Sequence, residues 1–348
     1  MWVTSSLATA LTPTVVALGN FDGIHRGHEC VIRPILQAAK TKQSASGIGY
    51  GEFEPNRSDS LNSDNLRESF ADPRELGVES TYATVATFNP HPREFFSGVA
   101  SKLLTPRSEK VQQLSILGVQ QLVLLPFDRE LASLSPEQFV EKILVQQLDV
   151  RHVSVGEDFR FGHKRSGTST DLQALASAYG IEVTVVSLKT SRTERISSSV
   201  IRQSLELGDI SKANRLLGRS YSLTGTVVKG QQLGRTIGFP TANLQLCPEK
   251  FLPRKGVYCV RVWGSDFRSA ISPQSGVMNI GERPTINGTC LTVEVHLLDG
   301  SPDLYGQTLT VSLEEFLRPE QKFDSLDALK RQIQADCARA RAFLSNQN

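Results

Sequence analysis

The 348-residue chain has few cysteines and almost no net charge, and each of these features excludes a class of protein. Its five cysteines, Cys30, Cys247, Cys259, Cys290 and Cys337, are odd in number and never stand in C-x-x-C spacing. We therefore expect neither a disulfide framework nor a structural zinc site, and the cysteines are predicted to pack as small hydrophobic residues. The formal net charge is only +2, so the composition does not indicate a nucleic-acid partner.

The chain also lacks an apolar run of about 18 residues, the length that a helix needs to span a membrane. Its first segment, MWVTSSLATALTP, contains no Lys or Arg, whereas a secretory signal begins with basic residues. These features predict a soluble, cytoplasmic protein without a membrane partner. The length favours two domains, and we expect a monomer or a weak homo-oligomer.

Residues 12–205 alternate short apolar runs with amphipathic stretches. Strands are predicted at 14–19, 82–88, 121–127, 152–156 and 182–188. A helix is predicted over 135–148, where Ser135 is the N-cap, Pro136 lies in the first turn and Gln138 closes a capping box. The alternation predicts an α/β domain with a parallel, Rossmann-like sheet. Residues 41–80 are polar and aperiodic, and they are predicted to form a disordered insertion.

Residues 218–345 have a different character, with strand-like runs separated by turn residues. This spacing predicts an antiparallel barrel or sandwich. The segment 206–217 is predicted to be a helical linker between the two domains. The chain ends in a predicted helix that carries Leu326, Leu329, Ile333 and Cys337 on one stripe, and we expect this helix to dock on the barrel.

A glycine-rich turn, GNFDGIHRGH at residues 19–28, lies between the first strand of the parallel sheet and a predicted helix. Such a turn points backbone N–H groups outward at a helix N-terminus and forms an anion site. It contains no lysine, so it is not a Walker A loop. His25 and His28 stand on either side of Gly27 and can both face one polyanion. Segments 87–92 and 156–162 also follow strands, so all three motifs are expected to meet in one crevice.

A second candidate anion site is ISSSVIR, residues 196–202. Three successive serines precede a helical segment, and their hydroxyl and N–H groups can bind phosphate. Arg202, one turn later, supplies a positive charge. Taken alone, the same pattern also describes an ordinary helix N-cap.

These motifs resemble the adenylyltransferase module of bacterial FAD synthetases, whose signature is G-N-F-D-G-x-H-x-G-H. Residues 87–92 resemble its T-F-x-P-H-P motif, with Asn89 at a position that is often acidic, and residues 156–162 resemble its G-x-D-F-x-F-G loop. Residues 196–202 resemble I-S-S-T-x-I-R, with Ser199 replacing threonine. The resemblance implies catalytic roles for His25 and His28. It also implies ATP phosphate binding by Gly19, Asn20, Phe21, Asp22, Gly23, Gly27, Ser197, Ser198, Ser199 and Arg202, and flavin binding by Phe88, His91, Asp158, Phe159 and Phe161.

The second half resembles riboflavin kinases through GTVVKGQQLGRTIGFPTANL, residues 225–244. The resemblance implies ATP binding by Gly225, Gly230, Gly234, Arg235, Gly238 and Pro240. Thr241 and Asn243 carry the oxygen ligands that Mg²⁺ prefers, and they are expected to hold a magnesium ion. The run LTVEVHLL places Thr292, Glu294 and His296 on one strand face, which by itself could simply face solvent. The resemblance makes Glu294 the expected catalytic base.

Taken together, the resemblance implies an enzyme with a Rossmann-like nucleotidylyltransferase domain, a β-barrel riboflavin kinase domain and a terminal helix. The kinase is expected to convert riboflavin and ATP to FMN, and the adenylyltransferase is expected to convert FMN and ATP to FAD and pyrophosphate. Mg²⁺ is the expected cofactor of both reactions. Two alternatives remain open at this point. One is an enzyme with a single activity and one degenerate module, and the other is a flavin- or nucleotide-sensing protein on an inactive scaffold.

Overall fold

The protein was analysed as a computed structural model that describes residues 1–44, 81–187, 190–191, 194–230, 233–264, 273–285, 288–300 and 302–346. It divides into two compact units. The first unit comprises Met1–Phe21, His28–Val99 and Val111–Leu188. The second comprises Asp22–Gly27, Ala100–Lys110 and Lys189–Asn348.

A parallel sheet of six strands forms the centre of the first unit. The strands of this unit, in chain order, are β1 (Trp2–Thr4), β2 (Thr14–Leu18), β3 (Tyr82–Asn89), β4 (Gln121–Pro126), β5 (Val150–Gly156), the short hairpin β6 (Arg160–Phe161) and β7 (Gly167–Thr168), and β8 (Glu182–Val186). The sheet order is β1-β4-β3-β2-β5-β8, and every pairing is parallel. All five residues of β2 are buried, as expected for a central strand that is covered on both faces. The predicted Rossmann-like sheet is confirmed.

The helices of the N-terminal half follow the strands as predicted, with two differences. They are α1 (Arg26–Ser44), α2 (Pro92–Ser97), α3 (Arg107–Ile116), α4 (Arg129–Ser133), α5 (Pro136–Phe139) and α6 (Ser169–Ser177). The capping box at Ser135 and Gln138 is confirmed, but the helix continues from Val140 to Gln147 in π-helical form. Helix α1 runs to Ser44, into the first residues of the predicted insertion, and residues 45–80 lie outside the described residues.

The second unit contains a closed antiparallel barrel, so the barrel is confirmed over the sandwich. Its elements, in chain order, are β9 (Thr190–Ser191), β10 (Glu194–Arg195), α7 (Ser198–Leu207), α8 (Ile210–Leu217), β11 (Tyr221–Val228), α9 (Leu233–Thr236), β12 (Ala242–Leu246), β13 (Gly256–Gly264), β14 (Gln274–Thr285), β15 (Gly288–Leu297), β16 (Thr308–Arg318) and α10 (Leu326–Ser345). The barrel order is β11-β12-β15-β14-β13-β16. Within the described residues, no helix is long and apolar enough to cross a membrane.

Helix α10 packs on the barrel, as predicted, but through its later turns. Ala340 and Leu344 are buried in a cluster with Val257 and Leu317 of the barrel strands. Leu326, at the start of the predicted stripe, is exposed. The contact face therefore begins further along the helix than the hydrophobic pattern predicts.

A buried ion pair anchors the segment 100–110 within the second unit. The Lys250 ammonium pairs with the Glu109 carboxylate, and both side chains are nearly inaccessible. The same ammonium donates to the Leu104 carbonyl at 2.7 Å and lies 4.4 Å from the centre of the Tyr221 ring. Around it, the Leu103 N–H donates to the Glu249 carbonyl at 2.7 Å. These contacts satisfy the buried charges, which would otherwise be costly to remove from water.

Replacing one member of this pair is expected to destabilise the protein strongly. Lys250→Met leaves the Glu109 carboxylate buried without its counter-ion, so the free energy of unfolding should fall by about 3–5 kcal/mol. The double variant Lys250→Met, Glu109→Leu should recover most of that loss, because no buried charge remains. Urea unfolding monitored by circular dichroism measures both effects. A single variant as stable as the parent would contradict this account.

Candidate active sites

The carboxyl edge of the parallel sheet brings together the motifs that follow β2, β3 and β5. These three strands are neighbours in the order β3-β2-β5 and run in the same direction. Residues Gly19–Phe21, Phe88–His91 and Gly156–Phe161 therefore lie at one edge of the first unit, as predicted.

The first residues of the glycine-rich turn are fixed against β3. The Gly19 N–H donates to the Ala86 carbonyl at 3.3 Å, and the Thr87 hydroxyl donates to the Asn20 carbonyl at 3.1 Å. A Cβ atom at Gly19 would stand 3.2 Å from the ring of Phe21, so a larger side chain would crowd that ring. The buried ring of Phe21 packs edge-on against the His28 imidazole, with the ring centres 5.2 Å apart.

Two predicted flavin residues, Phe88 and Phe159, are half-buried and offer accessible ring surface. Phe159 stacks on Phe161, with ring centres 5.8 Å apart and an interplanar angle of 15°. Phe161 is only 3% exposed and belongs to the hydrophobic core, where it also contacts Phe139. Phe161 therefore supports Phe159 from beneath, whereas Phe159 presents the outer surface.

His91 and Asp158 lie in turns at this edge. The His91 Nδ1 accepts the Arg93 N–H at 3.1 Å and caps helix α2. A nitrogen that accepts a hydrogen bond carries no proton, so this donor assigns the neutral ring proton to Nε2. Asp158 is exposed, with one carboxylate oxygen close to Gly156.

Sequence reasoning missed an aromatic cluster beside Phe88. Phe127 lies 5.4 Å from Phe88 and 5.3 Å from Phe95, centre to centre, and Phe96 is 73% exposed. Phe127 directly follows β4, so its position at the carboxyl end of a predicted strand was the signal that could have identified it.

In the second unit, the Asp22 carboxylate is a buried acceptor. It accepts the Thr105 N–H at 3.0 Å, the Leu104 N–H at 3.2 Å and the Thr105 hydroxyl at 3.4 Å. It also pairs with the Arg202 guanidinium. The Asp22 carboxylate therefore orients the Arg202 guanidinium.

His25 is buried in the same segment. Burial lowers the pKa of its imidazole from 6.5 to about 4, since removal from water disfavours the charged form. The ring is therefore neutral at pH 7 and can donate a hydrogen bond without carrying a charge. A Cβ atom at Gly27 would stand 3.1 Å from two atoms of this ring, which explains glycine at that position.

The three serines at the N-terminus of α7 have different environments. The Ser197 hydroxyl caps the helix by accepting the Val200 N–H at 3.4 Å, so the N-cap interpretation holds for this residue. The Ser198 hydroxyl donates to the Asp22 carbonyl at 2.7 Å. Ser199 is exposed at the helix N-terminus, where its hydroxyl can reach an incoming anion.

The predicted kinase residues meet on neighbouring strands of the barrel. Asn243 of β12 stands opposite Glu294 of β15, and the Thr241 hydroxyl donates to the Glu294 carboxylate at 3.4 Å. Alternate residues of β15 are buried in the barrel core, which confirms the predicted alternation; they are Val293, Val295 and Leu297. His296 donates from Nδ1 to the Pro240 carbonyl at 2.9 Å and thereby fixes the chain just before Thr241.

The glycines of the loop before β12 permit close approach of the backbone. A Cβ atom at Gly230 would stand 2.3 Å from the Asn243 amide nitrogen, and one at Gly234 would stand 2.3 Å from the Phe239 carbonyl oxygen. Gly238 has a φ of 91°, which disfavours other residues, and a Cβ at Gly225 would lie 2.7 Å from a backbone oxygen of β12. Arg235 is exposed on helix α9 between β11 and β12.

Asn279 is a further polar residue of this site that sequence reasoning missed. It lies on β14 directly opposite Glu294, so Asn279, Glu294 and Asn243 form one row across three adjacent strands. Its position in GVMNIG, between buried residues of an alternating strand, was the available signal.

Comparison with known proteins identifies the family of the chain. The riboflavin kinase family model matches residues 217–344, and the FAD synthetase family model matches residues 7–75 and 70–200. The bifunctional riboflavin kinase/FMN adenylyltransferase of Escherichia coli K12 is 37% identical over 330 residues, which are 94% of this chain and 92% of that protein. The chain belongs to the bifunctional riboflavin kinase/FMN adenylyltransferase family. Its two activities make FMN and FAD.

Two further comparisons have similar coverage. The bifunctional riboflavin kinase/FMN adenylyltransferase of Bacillus subtilis is 32% identical over 342 residues, covering 96% of this chain and 93% of that protein. A crystal structure described as a macrolide-efflux protein from Streptococcus pneumoniae has a TM-score of 0.77 and 28% identity, covering 97% and 98% of the two chains. The domain boundaries 12–205, 206–217 and 218–345 stay predictions.

In this member of the family, His25 is expected to titrate well below neutral pH. The imidazole Cε1–H resonance should stay constant between about pH 8 and about pH 5.5, and a His25→Gln variant assigns the signal. The unfolded chain binds this proton near pH 6.5 and the folded protein near pH 4, so the stability contributed by the neutral ring is lost as the pH falls through that window. A His25 midpoint near 6.5 in the folded protein would contradict its burial.

Proposed function

We propose that Glu294 is the catalytic base of riboflavin phosphorylation and that Thr241 and Asn243 hold the magnesium ion of that reaction. The observation that carries this assignment is the meeting of these three residues, with Thr241 directly before β12, Asn243 on β12 and Glu294 on β15. ATP is the phosphoryl donor, and its phosphates bind under the glycine-rich loop from Gly230 to Gly238. Arg235, exposed on α9, supplies a positive charge.

Glu294 performs the proton transfer of the kinase reaction. Its half-buried carboxylate takes the proton of the riboflavin 5′-hydroxyl while the hydroxyl oxygen bonds to the γ-phosphorus. The bond from the γ-phosphorus to the bridging oxygen breaks, and ADP leaves. Thr241 orients the base by donating to its carboxylate.

Thr241, directly before β12, and Asn243, on β12, fit a magnesium ion. The hydroxyl of Thr241 and the amide oxygen of Asn243 are hard oxygen donors, which Mg²⁺ prefers. The backbone at Gly230 approaches the Asn243 amide so closely that a Cβ would fill the space, which leaves the amide in a backbone-lined cradle. When bound, the ion neutralises negative charge on the phosphates.

The adenylyltransferase site positions ATP and FMN for attack at the α-phosphorus. An oxygen of the FMN phosphate bonds to that phosphorus, and pyrophosphate leaves. In the second unit, the neutral His25 donates a hydrogen bond to the developing charge and Arg202 supplies a positive charge. In the first unit, His28 is a further hydrogen-bond donor. The flavin ring lies against Phe88 and Phe159, whose accessible rings suit a flat apolar partner.

The role of Glu294 predicts that the two activities separate. Glu294→Gln should reduce FMN formation from riboflavin by roughly a thousandfold, because the amide cannot accept the hydroxyl proton. FAD formation from supplied FMN should be unchanged, and chromatography of both products measures this. Glu282→Gln is the matched control, because Glu282 is exposed and paired with Lys255 on the same barrel. Loss of both activities in Glu294→Gln would contradict the assignment.

The two stacked residues Phe159 and Phe161 should respond differently to replacement by alanine. Phe159→Ala should raise the KM for FMN by roughly tenfold with little loss of stability, because the half-buried ring is proposed to contact the flavin. Phe161→Ala should lower the free energy of unfolding by about 3–5 kcal/mol, because it empties a core position. Steady-state kinetics and urea unfolding of both variants test this. An unchanged KM in Phe159→Ala would remove this residue from the flavin site.

A further inference from the structure

We propose that Arg219 is a positioning residue for adenylyl transfer, and that it acts by fixing the backbone turn from which His25 projects. The inference rests on the proposed role of His25 at the ATP phosphates. Arg219 stands between α8 and β11, within the range matched by the riboflavin kinase model. By sequence it therefore belongs to the kinase half, although its contacts are with the glycine-rich turn of residues 19–28, the adenylylation turn.

The guanidinium of Arg219 holds two successive carbonyl groups of that turn. Its Nη1 donates to the Ile24 carbonyl at 2.9 Å, and its Nη2 donates to the Gly23 carbonyl at 2.7 Å. These are the last two carbonyl groups before His25. The planar fork of arginine can hold both at once, whereas the single ammonium of lysine cannot reproduce that geometry.

The turn needs such support because its backbone is strained. Ile24 has a φ of 40° and Gly23 has a φ of 94°, and a left-handed conformation at a β-branched residue is unfavourable. The opposite side is also held, since the Gly23 N–H donates to the Thr105 hydroxyl at 2.9 Å. The side chain of Ile24 is buried. Without Arg219, one side of the strained turn loses its hydrogen bonds.

Arg219 also affects the charge state of His25. Burial has the largest effect on this imidazole and lowers its pKa, a backbone hydrogen bond and the Asp22 carboxylate raise the pKa, and the Arg219 guanidinium lowers it. Asp22 is itself paired with Arg202. Arg219 therefore joins burial in keeping His25 neutral, so that its ring donates a hydrogen bond in a fixed direction.

The test compares Arg219→Ala and Arg219→Lys in the full-length protein. Arg219→Ala should lower kcat for FAD formation from supplied FMN by about tenfold or more, with KM for ATP changed by less than about threefold. Arg219→Lys should lower kcat for FAD formation by an intermediate factor, since lysine keeps the positive charge but not the planar fork of donors. FMN formation from riboflavin should remain within about twofold in both variants. The pKa of His25, followed by NMR, should rise in Arg219→Ala.

Arg341→Ala is the matched control, because Arg341 pairs with Asp299 and bonds the Leu298 carbonyl in the same unit. It should leave both activities unchanged. An unchanged kcat for FAD formation in Arg219→Ala, or an equal loss of both activities, would overturn the inference. The variant His25→Gln distinguishes a failure of the positioning role of Arg219 from a failure of the proposed role of His25. If it abolishes FAD formation while Arg219→Ala does not, only the positioning role fails, whereas full activity of His25→Gln would refute the proposed role of His25 itself.

Discussion

The buried carboxylate of Asp22 is the constraint on which the adenylylation turn depends. It accepts two backbone N–H groups and a hydroxyl from Leu104 and Thr105, and it pairs with Arg202. An unpaired carboxylate at this depth would be very costly, so the four donors and the acceptor stabilise each other. The same network fixes the turn at Asp22 and orients the Arg202 guanidinium. The direction of His25 follows from that fixed backbone.

The two proposed sites use carboxylates in opposite ways. The Asp22 carboxylate accepts hydrogen bonds from Leu104 and Thr105 and pairs with Arg202, so its charge is compensated within the protein. Glu294 is half-buried and, among the described residues, accepts a hydrogen bond from the Thr241 hydroxyl, which leaves further carboxylate lone pairs for a substrate proton. At the glycine-rich turn, where we propose that phosphates bind, burial keeps His25 a neutral donor. The environment of each group, rather than its residue type, thus determines its chemistry.

Local periodicity in the sequence was sufficient to predict the strands that carry the candidate site residues. Strands ending at Leu18, Asn89 and Gly156 could be recognised from their apolar runs, and parallel topology then placed their motifs at one edge. The alternation around Glu294 likewise predicted which side chains leave the barrel core. Long-range contacts could not be predicted in this way. The sequence predicts phosphate binding for Asp22 but does not reveal its partners Leu104 and Thr105, which stand more than 80 positions away. The sequence also predicts a flavin contact for Phe161, and nothing local indicates that its ring enters the core.

The substitution Asp22→Asn tests the central claim most directly, because it keeps the shape of the side chain and removes its charge. In asparagine an NH2 group, which is a donor, replaces one acceptor oxygen. The side chain therefore cannot accept hydrogen bonds from both backbone N–H groups and from Arg202 together. Both activities are measured on one preparation, with FMN supplied for the second reaction. The account predicts that FAD formation falls by about a hundredfold while FMN formation from riboflavin is retained. Full FAD formation in this variant would contradict the dependence of the adenylylation turn on Asp22.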